Sequence, residues 1–133
     1  MLIKSNEAPS LDSLLAEAKA SENGTKCGMF LTHCGVVRVD ARSKVREGNA
    51  EAMPVCGMRF SYDEEKVNSA IEKAYHMNGI YHIRVWLANG SLKVGDDIMR
   101  VLVGGDIRPN VIECLNTLVG EIKSSCVSET ELY

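Results

Sequence analysis

Residues 98–103 form the segment that most limits how this chain can fold, because five of the six are strongly apolar. Arg100 is the single polar interruption, and the turn-forming residues Gly95, Asp96 and Asp97 come just before the segment. A short apolar run that follows a turn is typical of a strand buried on both faces. The run therefore predicts a central strand of a sheet.

Three other segments also have strand character. Residues 27–40 are rich in β-forming side chains and are expected to bend at Gly35, because glycine inside a strand often marks a bulge. Residues 55–62 are predicted to form a second strand. Residues 81–87 are predicted to form a third, because the aliphatic residues at 83, 85 and 87 alternate with His82, Arg84 and Trp86. The Asn-Gly pair at 89–90 is a strong hairpin signal and predicts a short return strand.

Three helices are predicted from apolar side chains that recur at helical spacing. The first begins after a Ser10 cap, and the second after a capping box formed by Ser61 and Glu64. The third has Pro109 in its first turn, where a missing N–H is tolerated. The three apolar stripes are Leu11, Leu14, Leu15 and Ala18; Val67, Ala70, Ile71 and Ala74; and Val111, Ile112, Leu115, Leu118, Val119 and Ile122.

The remaining segments are polar. Residues 41–54 are predicted to be a loop, and residues 124–133 a short polar tail. Helices and antiparallel strands in separate runs indicate the α+β class. The chain has 133 residues, the size of one domain, so residues 1–133 are expected to fold as a single unit.

Charge and cysteine content argue against several classes of protein. The formal net charge of −3 does not suit a general nucleic-acid binder, and no apolar run is long enough to span a membrane. The five cysteines are odd in number, form no Cys-x-x-Cys pair and follow no signal peptide. These features predict reduced thiols in a cytoplasmic protein.

Four local patterns occur in an informative order. Residues 90–96 read Gly-Ser-Leu-Lys-Val-Gly-Asp, and residues 98–103 follow as a strand. Residues 35–38 read Gly-Val-Val-Arg, and residues 61–65 read Ser-Tyr-Asp-Glu-Glu at the start of a helix. In this order and spacing, the patterns resemble the large, catalytic subunit of molybdopterin synthase over residues 27–123.

The resemblance implies a fold and an activity. The fold would be the α/β hammerhead of that family, with a mostly antiparallel sheet and two long helices. The protein would be a homodimer that binds a small ubiquitin-like subunit through the Gly-Gly tail of that subunit. Sulfur would pass from a thiocarboxylate on the tail to cyclic pyranopterin monophosphate, which forms molybdopterin for molybdenum cofactor biosynthesis. The family needs no metal or organic cofactor for this step.

The resemblance also assigns roles to three residues. Lys123 is similar to the family's catalytic lysine near the end of the last helix, and Arg108 stands fifteen residues before it, as in the family. Such a lysine could stabilise negative charge during thiocarboxylate attack, or form a transient covalent link to the tail. Arg38 and Arg108 would bind the substrate phosphate, because guanidinium groups offer bidentate donors to phosphate.

The same residue types also occur where they have no catalytic role. A lysine in a last helical turn suits the helix dipole, and a surface arginine commonly pairs with a nearby carboxylate. Arg42, Lys44 and Arg46 could extend a basic pocket, although a solvated charged loop is the stronger expectation. Cys126 would be a nucleophile only if a cation lowered its pKa, and Cys114 is expected in the core.

The chain departs from the family at two places. Ile107 stands where the family has a histidine, so any role of that histidine is lost. Residues 126–131 read Cys-Val-Ser-Glu-Thr-Glu where the family has a Pro-x-Trp-Lys-x-Glu-like segment, so a second lysine is replaced and acidic residues stand near an anion pocket.

Three interpretations therefore compete: a divergent synthase, a non-catalytic dimeric module that binds a Gly-Gly-tailed partner or a pterin, and an unrelated α+β domain. The tail distinguishes the first two. Order of residues 124–133 against an arginine-lined pocket favours catalysis, whereas a disordered tail, or acidic residues folded into the pocket, favours the binding module.

Overall fold

The computed structural model describes residues 2–133, which form two sheets and four α-helices. The strands are β1 (Leu2–Ile3), β2 (Met29–Val36), β3 (Gly57–Tyr62), β4 (Ile80–Leu87), β5 (Gly90–Lys93), β6 (Asp97–Gly105) and β7 (Val127–Leu132). The helices are α1 (Leu11–Ala20), α2 (Arg42–Glu47), α3 (Glu64–Tyr75) and α4 (Arg108–Glu121), with a 3-10 turn at Gly24–Lys26 and a π turn at Ile122–Cys126. The predicted α+β class is confirmed.

The first sheet has four strands in the order β1-β4-β6-β2. Strand β6, which contains the apolar run, pairs antiparallel with both β2 and β4, so the prediction of a central strand is confirmed. Strand β1 pairs parallel with β4 at the far edge. The predicted bulge is also confirmed, because the register between β2 and β6 shifts between Gly35 and Val36.

Helices cover both faces of the four-stranded sheet. On one face, Leu102 of β6 packs with Leu14 and Ala18 of α1, and Ser10 caps that helix by accepting a hydrogen bond from Ser13 N. On the other face, Val101 belongs to the main core cluster with the buried residues of α3 and α4. Complete burial of one aliphatic side chain contributes about 1.5–3 kcal/mol to stability. The buried helical residues of the main core are Val67, Ala70, Ile71, Ala74, Val111, Cys114 and Leu118.

The second sheet has three strands in the order β5-β3-β7, and it corrects the predicted hairpin. Strand β5 pairs with β3 and not with β4. Ala88 N donates to Ile98 O, so β6 already occupies the edge of β4 where a return strand would bind. Gly90 has φ +106°, a left-handed conformation that favours glycine, and the chain turns there toward the second sheet.

Two segments that were predicted to be irregular have regular structure. Residues 41–54 contain helix α2, whose first N–H, at Arg42, donates to the carboxylate of Glu131 at 2.9 Å. Residues 127–132 form β7, because β3 offers a free edge for main-chain pairing. Both corrections depend on contacts between segments that are far apart in sequence, which local composition does not show.

Smaller predictions at the helices are also wrong. Asp63, not Ser61, caps α3, since its side chain accepts from Lys66 N at 3.2 Å and Ser61 still belongs to β3. Ile112 belongs to the predicted apolar stripe of α4, yet this residue is 49% exposed, because the buried face of α4 is centred on Val111 and Cys114. Leu11, in the predicted stripe of α1, is also exposed. No helix within residues 2–133 is long and apolar enough to cross a membrane.

Candidate functional site

A cavity lies where the bulged end of β2, helix α2, the end of α4 and strand β7 meet. Its volume is about 870 Å³, within the range of small-molecule sites. Met58, Ile98 and Met99 supply apolar lining between the two sheets. The charged and polar residues come from the four surrounding elements.

Strand β2 provides the first wall. His33 and Gly35 lie on the face of the sheet that also carries α4, because their partners on β6 are Val101 and Met99. Beyond the bulge, Arg38 lines the cavity, and its Nε donates to Asp40 O at 3.0 Å. That bond leaves the two terminal nitrogens of the guanidinium free of hydrogen bonds to residues 2–133.

Helix α2 provides a second, basic wall. Arg42 and Arg46 are one helical turn apart and both line the cavity. Lys44 lies outside the cavity, and its Nζ pairs with Asp40 at 3.1 Å. The predicted loop is wrong, because these residues form a helix that places both arginines on the cavity side, where they remain exposed as expected for solvated charges.

The end of helix α4 provides the third wall. Asn116, Val119, Gly120 and Lys123 follow one another at helical spacing and all line the cavity. Lys123 lies in the π turn that ends the helix, and its side chain is 42% exposed. Single π turns of this kind are frequent at functional sites.

Strand β7 provides the fourth wall, and this wall is acidic. The Nζ atom of Lys123 lies 3.6 Å from Oε1 of Glu129. Glu131 accepts hydrogen bonds from Arg42 N at 2.9 Å and from the hydroxyl of Tyr133 at 3.1 Å. The bond to Glu131 raises the pKa of the Tyr133 hydroxyl, which therefore stays protonated near neutral pH.

The cavity has a basic excess despite the acidic strand. Its lining includes four cationic side chains and two carboxylates, namely Arg38, Arg42, Arg46, Lys123, Glu129 and Glu131. Burial lowers the pKa of His33, and the charge of Lys123 lowers it further. His33 is therefore a neutral imidazole at pH 7, and the site suits an anionic ligand.

Two of the three predicted site residues come together, and the third does not join them within one chain. Lys123 and Arg38 line the same cavity. Arg108 is exposed at the first turn of α4, whereas Lys123 follows the last turn. At 1.5 Å per residue, the helix separates the two positions by roughly 20 Å.

The two buried cysteines in and after helix α4 have no catalytic environment. Cys126 is buried, and burial raises the pKa of its thiol. Burial raises the pKa of Cys114 to about 11, as expected for a thiol in the core. Both side chains are protonated thiols at neutral pH, so neither is an activated nucleophile.

Sequence reasoning missed two contributions to the cavity. The sequence does not show that His33 lines the cavity, because a lone histidine in a strand has the same sequence context whether its role is functional or structural. Glu129, Glu131 and Tyr133 were assigned to a tail, although their alternate spacing was a signal for a strand with one face toward the site.

The sequence pattern that defines the MoaE protein family matches residues 5–125. Because that range is most of the chain, the protein belongs to this family, and membership places it in molybdenum cofactor biosynthesis. The predicted resemblance is confirmed, and an unrelated α+β domain is ruled out. A comparison with curated proteins finds no match.

Solved structures of three bacterial proteins share the fold. Molybdopterin synthase from Staphylococcus aureus aligns with a TM-score of 0.74 at 13% identity, covering 99% of this chain and 89% of that one. Molybdopterin cofactor biosynthesis protein E from Burkholderia multivorans ATCC 17616 gives 0.74 at 16% identity, with 99% and 82% covered. A chain in the Helicobacter pylori 26695 complex of subunits 1 and 2 of molybdopterin-converting factor gives 0.65 at 18% identity, with 92% and 80% covered. The predicted fold is thereby confirmed.

Proposed function

We propose that this protein is a large subunit of molybdopterin synthase that transfers sulfur to cyclic pyranopterin monophosphate. Lys123 is the catalytic residue, and Arg38 and Arg108 bind the substrate. The sulfur donor is the C-terminal thiocarboxylate of a small ubiquitin-like subunit with a Gly-Gly tail. The subunit complex known for the Helicobacter pylori protein supports a partner of this kind.

The observation that carries the proposal is the meeting of Lys123 with three arginines in one cavity. Arg38, Arg42 and Arg46 give planar, permanently charged donors that suit a cyclic phosphate. Lys123 supplies an ammonium group at the edge of the same space. The cavity volume of about 870 Å³ has room for a phosphorylated pterin and the end of an extended tail.

The chemistry follows from the charge of the groups. The thiocarboxylate sulfur forms a bond to a substrate carbon, and the oxygen on that carbon leaves with the bonding electrons, either as a phosphate oxygen or, once protonated, as water. Water then cleaves the bond between the sulfur and the acyl carbon of the tail. The tail leaves as a carboxylate, and the sulfur stays on the substrate. Lys123 stabilises the negative charge that develops on the acyl oxygen during this cleavage. Two such transfers supply the two sulfur atoms of the dithiolene.

Arg108 acts in this scheme only through a second copy of the chain. Within one copy, roughly 20 Å of helix separates it from Lys123, so it cannot contact a ligand held at that lysine. We therefore keep the homodimer as part of the proposal. Light scattering at micromolar concentration tests it, and a monomer would remove Arg108 from the substrate site.

A non-catalytic binding module is the second candidate, and Glu129 favours it. Strand β7 is ordered against the arginine-lined cavity, which suits catalysis, yet it also places Glu129 3.6 Å from the amine of Lys123. A carboxylate at that distance competes with an anionic substrate for the lysine. Such a module would keep the affinity for a pterin or a Gly-Gly tail without turnover.

A single-turnover assay separates the two candidates. The protein is mixed with a thiocarboxylated small subunit from the same organism and with cyclic pyranopterin monophosphate, and molybdopterin is quantified. Lys123→Ala is expected to lower the rate at least 100-fold, on the order of what one electrostatic catalytic group supplies. Lys44→Ala is the matched control, because Lys44 pairs with Asp40 outside the cavity.

The arginine variant of the same lysine distinguishes the two roles open to it. Lys123→Arg keeps the positive charge but lacks an amine that can form an amide with the tail. Retained product in this variant indicates charge stabilisation, and loss equal to that of Lys123→Ala indicates a covalent link. If the wild-type protein binds either component but forms no product, the synthase proposal is wrong and the binding module stands.

A further inference from the structure

The carboxylate of Glu129 is an unusual member of an anion-binding cavity. Its Oε1 atom is buried and accepts no hydrogen bond from residues 2–133. The nearest cation, Nζ of Lys123, lies 3.6 Å away, beyond hydrogen-bond distance. A buried acceptor without a donor is unfavourable, and such groups in native proteins usually have a functional explanation.

Glu131, two residues further along β7, differs in this respect. One of its oxygens accepts from Arg42 N, and the other accepts from the Tyr133 hydroxyl. Glu131 is therefore satisfied within the protein and holds the start of helix α2. Of the two carboxylates on this wall, Glu129 alone accepts no side-chain hydrogen bond from residues 2–133, and its one charged partner is Lys123 at 3.6 Å.

The cavity thus has two kinds of wall. Arg38, Arg42 and Arg46 provide cationic donors, whereas Glu129 provides an anionic acceptor. A ligand that satisfies both walls has an anionic group at one end and N–H donors at the other. The 2-amino-4-oxopyrimidine ring carries two adjacent N–H donors, on N3 and on the 2-amino group, which match the two oxygens of one carboxylate.

We propose that Glu129 binds the 2-amino-4-oxopyrimidine edge of a pterin while the arginines hold its phosphate. The ligand class rests on the proposed function, but the role of Glu129 does not depend on turnover. Glu129 then makes strand β7 a specificity element of the site, and this carboxylate does not merely oppose the substrate.

The direction in which one substitution changes the affinity for the ligand tests this inference. Glu129→Gln is nearly isosteric and removes a negative charge from the cavity. If Glu129 only repels the phosphate, the variant binds cyclic pyranopterin monophosphate more tightly. If Glu129 accepts from the pterin edge, the variant binds it about 10-fold more weakly, because a charge-assisted pair is lost. Isothermal titration calorimetry measures the two dissociation constants.

Glu131→Gln is the matched control on the same strand. It removes the same charge but keeps an amide oxygen that can accept from Arg42 N. Its dissociation constant is expected to change less than 2-fold, or to decrease, since no ligand contact is lost. Equal weakening in both variants would overturn the assignment to Glu129, because it would indicate a general effect of the strand.

Two guanine analogues test the recognised edge directly. Cyclic GMP carries the 2-amino group, and cyclic IMP lacks it, while both carry a cyclic phosphate. The wild-type protein is expected to prefer cyclic GMP about 10-fold, and Glu129→Gln to lose that preference. Tighter binding of cyclic pyranopterin monophosphate than of cyclic GMP identifies the pterin as the source of this edge. Tighter binding of cyclic GMP would overturn the pterin assignment.

The outcomes separate this inference from the proposed function. Molybdopterin formation together with equal binding of cyclic GMP and cyclic IMP would overturn the role of Glu129 alone. A Glu129-dependent preference without molybdopterin formation would support the inference and overturn the synthase proposal.

Discussion

The two sheets of this protein differ in how completely they are covered. The four-stranded sheet has α1 on one face and α3 and α4 on the other, and Ile83 and Val85 at its centre are fully buried. The three-stranded sheet is covered on one face only. On β3, Met58 and Phe60 are buried, whereas Arg59 is exposed.

The sheets also contribute different groups to the cavity. The four-stranded sheet supplies His33 and apolar lining, whereas the three-stranded sheet supplies both carboxylates through β7. We infer that the two roles are divided between the sheets: the four-stranded sheet provides most of the stability, and the three-stranded sheet provides much of the ligand selectivity. Four predictions test that division.

The largest expected effect is on stability. Ile83→Ala in β4 leaves a cavity in a fully buried site and is expected to lower the free energy of unfolding by about 3 kcal/mol. Val127→Ala in the half-exposed β7 should cost about 1 kcal/mol or less. Urea unfolding measures both values. Equal losses would show that the three-stranded sheet contributes as much to stability as the four-stranded one.

A smaller effect is expected on ligand affinity. Arg46→Ala removes one guanidinium from the cavity and should weaken binding of cyclic pyranopterin monophosphate about 10-fold, with a shallower salt dependence. Lys44→Ala on the same helix should change the affinity less than 2-fold, because Lys44 pairs with Asp40. A similar loss in both variants would mean that only net charge matters and that the placement of the helix does not.

The third prediction concerns pH and the four-stranded sheet. Burial lowers the pKa of His82, and the charge of Arg84 adds to this effect. The unfolded chain has the ordinary pKa near 6.5, so below that pH it binds more protons than the folded chain. Stability should therefore fall as the pH drops from 7 to 5. His82→Leu should reduce this loss, although His33 contributes in the same direction. An unchanged pH slope in urea unfolding would contradict the prediction.

The smallest effect is expected at helix α2. Glu131→Ala removes the acceptor for Arg42 N, so amide hydrogen exchange across Arg42–Glu47 should accelerate severalfold. Global stability should change by less than about 1 kcal/mol, because no core contact is lost. Hydrogen exchange followed by mass spectrometry resolves the segment, and Glu129→Gln serves as the comparison variant. Unchanged exchange would mean that the cap does not hold the helix.

Much of the fold could be predicted from local patterns in the sequence. The apolar run in β6, the bulge at Gly35 and the Ser10 cap each depend on neighbouring residues, and the structure confirms all three. The predicted hairpin failed because the Asn-Gly signal describes a turn but not the partner of the strand that follows. That partner, β3, lies about thirty residues earlier, at Gly57–Tyr62.

The candidate site was harder to predict for the same reason. Lys123 and Arg38 came from a resemblance to a family, and both line the cavity. The acidic wall depends on the pairing of β7 with β3, which joins segments more than sixty residues apart. No local pattern specifies that pairing, so the ordered carboxylates beside Lys123 became visible only in three dimensions.

The π turn at Ile122–Cys126 connects α4 to β7, so a one-residue deletion there would change which side chains β7 presents to the cavity. A strand shifted by one residue presents its other side chains to the same face. The in-frame loss of one codon, such as that of Ser125, would move every residue of β7 back by one position if α4 and β3 stayed in place. Thr130 would then stand at the position of Glu129, and Leu132 at that of Glu131. A single deletion, without any substitution, would replace the carboxylate at each of these two positions and leave the arginines of the cavity in place.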